Sequence, residues 1–363
     1  MVKAKPTVVT TTEAPEGASS SATTGLLNHL QKTSSAHVSR MTDGGSIITT
    51  PKFLSTGLPT IDHMMGGGIP AGRITELFSK GEGKGKSSLA AMLMAEMQRR
   101  GGVVLLMDTE HGFTSERLKV FGVDPEEIVY VEPAHIEGAC QIISDTIKFL
   151  KQNNEKQDKF LIIWDSVTGT PCKSEAEADY GDVSFAGAPR ALSASIKKLK
   201  DEIAKSECYV VMITQTRVNI NAGPFAEKQS STGGMALKYY AGQRLVLSHD
   251  ANPWLKEGPQ KVGMKVTMMT EKSRVAAPYQ KADAHLYFDK GYDRWRSLFD
   301  LLLKLEIVEQ KGGYYSILGS TTNFRAGDFD SVIQGLEEEA KDVIRDKLVA
   351  ARINSDTISY FLG

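Results

Sequence analysis

Four short stretches hold side chains able to handle a phosphorylated ligand. The first is ELFSKGEGKGKSSL, residues 76–89. A phosphate-binding loop is written G-x-x-x-x-G-K-[ST], and Gly85, Lys86 and Ser87 supply its end. Counting back five from Gly85 lands on Lys80, where a glycine is expected. Gly81, Gly83 and Gly85 still allow positive φ and close backbone approach. Glu82 and Lys84 alternate with them, and Ser88 follows. Loop amides added to a helix N-terminus favour anionic phosphate. Lys86 would reach the β- and γ-phosphates, and Ser87 would ligate Mg2+.

The second stretch is KFLIIWDSVTG, where Asp165 closes an apolar run and can hold the Mg2+ shell. The third is VLLMDTEHG. Glu110 is the candidate base that polarises an attacking water, Asp108 is a structural carboxylate beside it, and His111 is a hydrogen-bonded neighbour. The fourth is VVMITQTR, which carries Thr214, Gln215 and Arg217. An amide beside a γ-phosphate can report its presence through a hydrogen bond and move the loop that follows. That loop, 218–232, is long and polar, as functional loops often are. It ends in TGGMALKYY, where Gly233 and Gly234 expose backbone amides.

These residues need a scaffold that brings four chain segments to one edge. RITELF, VVLLMD, IVYVE, FLIIWD and CYVVMIT are short, nearly continuous apolar runs, the pattern of strands buried on both faces. Helical segments alternate with them at 87–100, 137–152 and 190–206. The fold class is therefore α/β with a mostly parallel central sheet. RLVLSH, KVGMKVTMMT and AHLYFD extend the sheet, with antiparallel pairing expected. Beyond residue 295, SLFDLLLKLEIVEQKGGYYSIL predicts a helix and a hairpin turning at 311–313. GLEEEAKDVIRDKLVAARI predicts an amphipathic helix with Leu336, Ala340, Val343, Ile344 and Leu348 on its apolar face. Its acids come early and its bases late, matching the helix dipole. Four regions result: a disordered tail over 1–23, an N-terminal helix and linker over 24–50, a core over 51–295, and a small α+β domain over 296–363.

Composition sets wide bounds. The chain has 363 residues, 41% hydrophobic and 24% charged, with a net charge of −1, so a nucleic-acid site must come from local charge. No apolar run approaches the roughly 18 residues of a membrane span, and no signal-peptide pattern opens the chain. Cys140, Cys172 and Cys208 are scattered without pairing or metal spacing, which points to a reducing, cytoplasmic setting.

Taken in order, these segments resemble the RecA family. FLSTGLPTIDHMMGGGIPAGRITELF is similar to the opening of that family's core, MDTEHGF to the segment with its catalytic glutamate, and WDSV to its Walker B strand. YGDVSFAGAPRALSASIKKL resembles its first DNA loop and the helix after it. TQTR followed by STGGMALKYYA resembles the second loop and its exit. EKSRVAAPYQKA resembles the motif that reaches a neighbouring subunit's ATP. The likeness covers about residues 24–319, and its specificity lies in the combination.

The resemblance implies a RecA-type P-loop core with an N-terminal oligomerisation helix and a small C-terminal domain. It implies helical filaments on single-stranded DNA, ATP and Mg2+ between subunits, and pairing and strand exchange with homologous double-stranded DNA. Residue by residue, Lys86 and Ser87 bind phosphate and Mg2+, Glu110 activates water, Asp165 supports the metal, and Gln215 couples the γ-phosphate to the second loop. Lys272 and Arg274 contact the adjacent protomer's ATP, in the manner of an arginine finger. Arg190, Ser193 and Lys197 share one helical face toward DNA phosphates. Arg217, Gly233 and Gly234 also contact DNA, and Phe185 and Ile220 wedge between base triplets. The DNA loops span about 180–190 and 218–234.

Several positions depart from the family. The phosphate loop is one residue longer. Arg117 stands where a tyrosine commonly stacks on adenine; a guanidinium also stacks, but base selectivity is open. Thr214 and Ser273 replace asparagines. The chain ends at YFLG without the acidic tail of many bacterial members, which implies less restrained duplex uptake. Such departures are similar to those of divergent, phage-type UvsX recombinases. A hexameric motor or helicase of the same fold, and a DNA-binding filament protein with little turnover, are the competing expectations. A silent site has no need of Lys86, Glu110, Asp165, Lys272 and Arg274 together.

Overall fold

The computed structural model describes residues 20–35, 38, 51–79, 81, 83–179, 187–218, 229–231, 235–318 and 323–363. Two units divide at Thr50 and Pro51. The first contains helix α1, Ser20–Thr33, which begins ahead of the Thr24 start expected from the sequence. Leu26 and Leu30 are exposed on it.

The second unit opens with β1 (Phe53–Leu54), α2 (Pro59–Met65) and β2 (Ile69–Pro70), a short antiparallel lead-in. β3 (Arg73–Ser79), α3 (Lys86–Arg99), β4 (Val103–Asp108), α4 (Ser115–Val120), β5 (Ile128–Val131), α5 (Ile136–Gln152) and β6 (Phe160–Asp165) follow. Then come α6 (Lys173–Ala176), α7 (Gly187–Ala204), β7 (Tyr209–Val218), β8 (Gln229–Ser231), α8 (Met235–Tyr240) and β9 (Gln243–Ser248). The hairpin strands β10 (Trp254–Glu257), β11 (Gln260–Ser273), β12 (Lys281–Tyr287) and β13 (Gly291–Tyr292) complete the sheet.

Among the described residues this sheet has 11 strands. Its spine runs β13-β12-β11-β9-β3-β7-β6-β4-β5, with β10 on β11 and β8 on β7. From β9 to β5 every neighbouring pair is parallel. The inner strands are buried on both faces, so their sequences show unbroken apolar runs; β5, at the sheet edge, instead leaves Val129 and Tyr130 exposed, contrary to the burial expected of IVYVE. One face packs α3 through Leu89, Leu93 and Met97. The opposite face packs α5 and α7 through Ile143, Ile147, Leu192, Ile196 and Leu199.

One expectation needs correction. RLVLSH, now β9, pairs parallel with β3 rather than antiparallel; antiparallel pairing starts at β11. The cause is α8, whose Ala236 and Leu237 pack into the α5–α7 face. A helical crossover between β7 and β9 returns the chain in the same direction.

α9 (Arg294–Lys304), the hairpin β14 (Val308–Lys311) and β15 (Tyr314–Ile317), β16 (Asn323–Phe324), α10 (Phe329–Gln334), α11 (Glu338–Ala350) and α12 (Ser355–Leu362) surround a third apolar cluster. It is held to the core by polar contacts: Thr357 Oγ1 donates to Ser55 Oγ at 2.7 Å, and Asn354 Nδ2 to the Phe53 carbonyl at 3.1 Å. On α11, Ile344 and Leu348 are buried, but Val343 is 49% exposed, contrary to the apolar face expected. The buried stripe is narrower than expected: it runs at four-residue spacing through half-buried Ala340 and buried Ile344 and Leu348, and Val343 lies beside that line.

Candidate functional site

The carboxyl ends of β3, β4, β6 and β7 meet at one edge of the sheet, where ligands bind in open parallel sheets. β3 delivers Ser79 to the start of the glycine-rich loop. Gly81, Gly83 and Gly85 all have positive φ, at 93°, 66° and 82°. At Gly85 the requirement is double: it is the left-handed N-cap of α3, and a Cβ there would lie 2.5 Å from the Tyr292 hydroxyl oxygen. The loop closes on itself through two contacts. Lys86 Nζ donates to Ser79 Oγ at 2.7 Å, and Ser79 Oγ donates to the Gly81 carbonyl. Lys86 is buried. Lys84 points elsewhere, its Nζ meeting His249 Nε2 at the end of β9. Lys80 and Glu82 lie outside the described residues. Ser88, half-buried on the first turn of α3, follows Ser87.

Ser87 Oγ donates to Asp165 Oδ2 at 3.0 Å, which joins the α3 N-terminus to the end of β6. Burial pushes Asp165 up to about 6, and nearby Glu110 and Asp108 add to the shift. Two oxygen donors and a poorly compensated carboxylate suit a hard divalent cation.

Asp108 is fully buried and serves the backbone. Its Oδ1 accepts from Glu110 N–H at 3.0 Å and its Oδ2 from Phe113 N–H at 3.4 Å. Glu110 is thereby thrust past the strand end, exposed. Its carboxylate accepts from Gln215 Nε2 at 3.0 Å on both oxygens, and from the Ser166 hydroxyl. His111 adopts φ 52° and stands 3.4 Å from Glu132. Gln215 N–H donates to Thr168 Oγ1 at 3.2 Å, so β7 and the β6 exit are stitched at this point.

Arg117 donates to the Phe288 carbonyl at 2.8 Å and lies 5.0 Å from the Phe121 ring centre. Its guanidinium thus borders a rim shared by α4 and the segment after β12. Lys272 Nζ donates to the Lys238 and Tyr239 carbonyls, at 2.9 and 2.8 Å, at the C-terminal end of α8. Burial, with Arg274 and Arg244 close by, pushes its pKa down. Arg274 is exposed. Lys272 stands near the end of β11 and Arg274 just past it, apart from the cluster at the β3, β4, β6 and β7 ends.

Arg190, Ser193 and Lys197 are all exposed on α7, opposite the buried Leu192, Ile196 and Leu199. Arg217 is on β7 in register with Ser230. Phe185, Ile220, Gly233 and Gly234 lie outside the described residues.

Reasoning from sequence overlooked Ser79 and Ser166, which hold Lys86 and Glu110. Both sit one position beside a motif and lack periodicity, so only their adjacency to Lys80 and Asp165 could have flagged them. It also overlooked Glu76 and Arg244, a charged pair inside the sheet: Arg244 Nε donates to Glu76 Oε2 at 2.5 Å.

A family model described as the RecA N-terminal domain matches residues 27–293. Protein RecA of Prochlorococcus marinus strain NATL1A is 33% identical over 302 residues, covering 83% of this chain and 76% of the relative. Protein RecA of Synechococcus sp. strain CC9902 is 32% identical over 306 residues, covering 84% and 77%. Protein RecA of Gloeobacter violaceus is 32% identical over 261 residues, covering 72% and 68%. The chain belongs to the RecA family, the ATP-dependent recombinases that act as DNA-dependent ATPases.

Proposed function

We propose that this chain forms helical filaments on single-stranded DNA, binds ATP and Mg2+ at the seam between protomers, and exchanges the bound strand with a homologous duplex. It would act on DNA in the cytoplasm. The observation that carries this reading is the bond from Gln215 to Glu110. It ties the candidate hydrolytic carboxylate to the strand that runs into the second loop, so one contact links chemistry to nucleic acid.

The site would work as follows. The loop amides of Gly81, Gly83, Lys84 and Gly85 and the α3 N-terminus cradle phosphate, with Glu82 and Ser88 alongside. Lys86 neutralises charge on the transferring group. Ser87, with Asp165 behind it through water, would hold Mg2+, which when bound would supply positive charge against the phosphates. Glu110 orients and deprotonates the attacking water, held in place by Ser166 and Gln215. A γ-phosphate competes for the Gln215 amide, and the exchange of partners moves β7 and the loop beyond it. Arg117 borders the base. Lys272 and Arg274 complete the neighbouring protomer's site, which makes turnover depend on assembly.

Arg190, Ser193 and Lys197 form a phosphate track on α7, supplemented by Arg217 and by the amides of Gly233 and Gly234. Phe185 and Ile220 are the proposed wedges between bases. Contacts to backbone leave the base edges open for pairing.

Complementation tests the reading. Turnover is measured with single-stranded DNA for Glu110→Ala, for Lys272→Ala/Arg274→Ala, and for their mixture. Each alone should be inactive and the mixture active, because intact cations from one copy then serve an intact glutamate in another. A mixture as silent as its parts would overturn the shared site.

A further inference from the structure

We propose that Glu271 is a positioning residue for Lys272: bonded to the buried Arg244, it anchors a β-bulge that decides which face of the sheet Lys272 occupies. The proposal rests on the reading that Lys272 acts on a neighbouring protomer's ATP.

Strands β9 and β11 pair in regular register from Ser248 opposite Thr267 to Leu245 opposite Thr270. The next partner of β11 for Arg244 is Lys272, not Glu271. Two residues of β11 therefore oppose one of β9, which is a bulge. Side chains alternate along a strand, so a one-residue slip moves everything beyond it to the other face. Without the bulge, Lys272 would oppose Gln243 and share the face of Thr270, which is fully buried. With it, Lys272 shares the face of Arg244 and reaches the end of α8, where its Nζ caps the Lys238 and Tyr239 carbonyls.

What holds the bulge is an ionic chain across four strands. Arg244 Nη1 donates to Glu271 Oε2, and Arg244 Nε donates to Glu76 Oε2. Thr214 Oγ1 donates to the other oxygen of Glu76 at 2.7 Å. The guanidinium lies 4.4 Å from the Phe78 ring centre. The Arg244 side chain is 5% exposed and that of Glu76 not at all, whereas Glu271 is 35% exposed. Arg244 would pair with Glu76 whether or not Glu271 were present. The added carboxylate comes from the bulged residue itself, where its bond to Arg244 ties the bulged backbone to β9. The other members touch the same chemistry: Thr214 precedes Gln215, and Glu76 lies on the strand that enters the phosphate loop.

The test is a double-mutant cycle on the full chain, reading kcat and KM for ATP on single-stranded DNA. Glu271→Gln keeps the side chain's shape and removes its charge, so it stands even if Glu271→Ala fails to fold. Glu271→Gln should lower kcat on the order of 10- to 100-fold, the scale of a misplaced group, with KM for ATP nearly unchanged. In a Lys272→Ala background, Glu271→Gln should add no further loss, because nothing remains to position. An equal fold-loss in both backgrounds would mean a general structural role and would overturn the proposal. A Lys272→Ala protein with wild-type turnover would overturn the cross-protomer reading and this proposal together, which distinguishes the two failures.

Discussion

Gln215 Nε2 donates to both carboxylate oxygens of Glu110 at 3.0 Å. The amide comes from β7 and the carboxylate from the segment after β4, two strands that are not neighbours in the sheet. Glu110→Gln should reduce DNA-stimulated kcat by roughly 10²- to 10⁴-fold, the usual contribution of a positioned base. Gln215→Ala should bring the ratio of turnover with DNA to turnover without it toward one. Steady-state ATPase assays on both variants check this; a Gln215→Ala protein with full DNA stimulation would break the proposed link.

Lys86 is buried and held by Ser79, so it is set in place before a ligand arrives. Charge-assisted hydrogen bonds are worth about 1.5–3 kcal/mol each. Lys86→Ala should weaken nucleotide binding by roughly 10- to 100-fold and abolish turnover. Titration with a fluorescent nucleotide reads the first effect and phosphate release the second. Unchanged binding would remove Lys86 from the site.

Binding to single-stranded DNA releases counterions, with a salt slope of about −0.7 per neutralised phosphate. Arg190 and Lys197 are exposed on one face of α7. Replacing each by alanine should flatten the slope of log K against log salt by about 0.7. An anisotropy titration over several salt concentrations gives the number, and an unaltered slope would place the phosphate track elsewhere.

Stability should depend on pH through Asp62. Its carboxylate is fully buried and accepts from Ser55 Oγ, Thr56 N–H and Thr56 Oγ1. Burial still pushes its pKa from 3.8 to about 6. A carboxyl raised in the folded state is more stable protonated, so its contribution is complete below pH 3.8 and lost as pH rises through 6. The full swing is at most about 3 kcal/mol. Asp62→Asn cannot ionise, so the stability of the variant relative to wild type should rise between pH 4 and 7. Urea unfolding across that range checks the sign; a flat difference would mean that Asp62 is ionised throughout.

Much of the site was legible because its signals are local. Lys86, Ser87, Asp108, Glu110, Asp165 and Gln215 each end or follow an apolar run, and a parallel sheet brings such ends to one edge. The contacts among them were not legible. That Ser166 and Gln215 grip Glu110, or that Ser79 grips Lys86, depends on strand order and rotamers, which no local pattern encodes. The direction of β9 was misjudged for a related reason: an apolar run marks a strand but not its sense, which the α8 crossover decides. Val343 was misplaced because the inward stripe of α11 follows Ala340, Ile344 and Leu348 alone, and the width of that stripe is set by what packs against the helix rather than by its period.

By itself the sequence determined the alternation of strands and helices, the glycine-rich turn, and the exposed face of α7, since period and backbone freedom are properties of consecutive residues. Only the tertiary structure decided that Arg244 pairs with both Glu76 and Glu271 and that Lys272 crosses to its face. Those facts follow from register between strands distant in the chain, where a slip of one residue reverses every side chain beyond it.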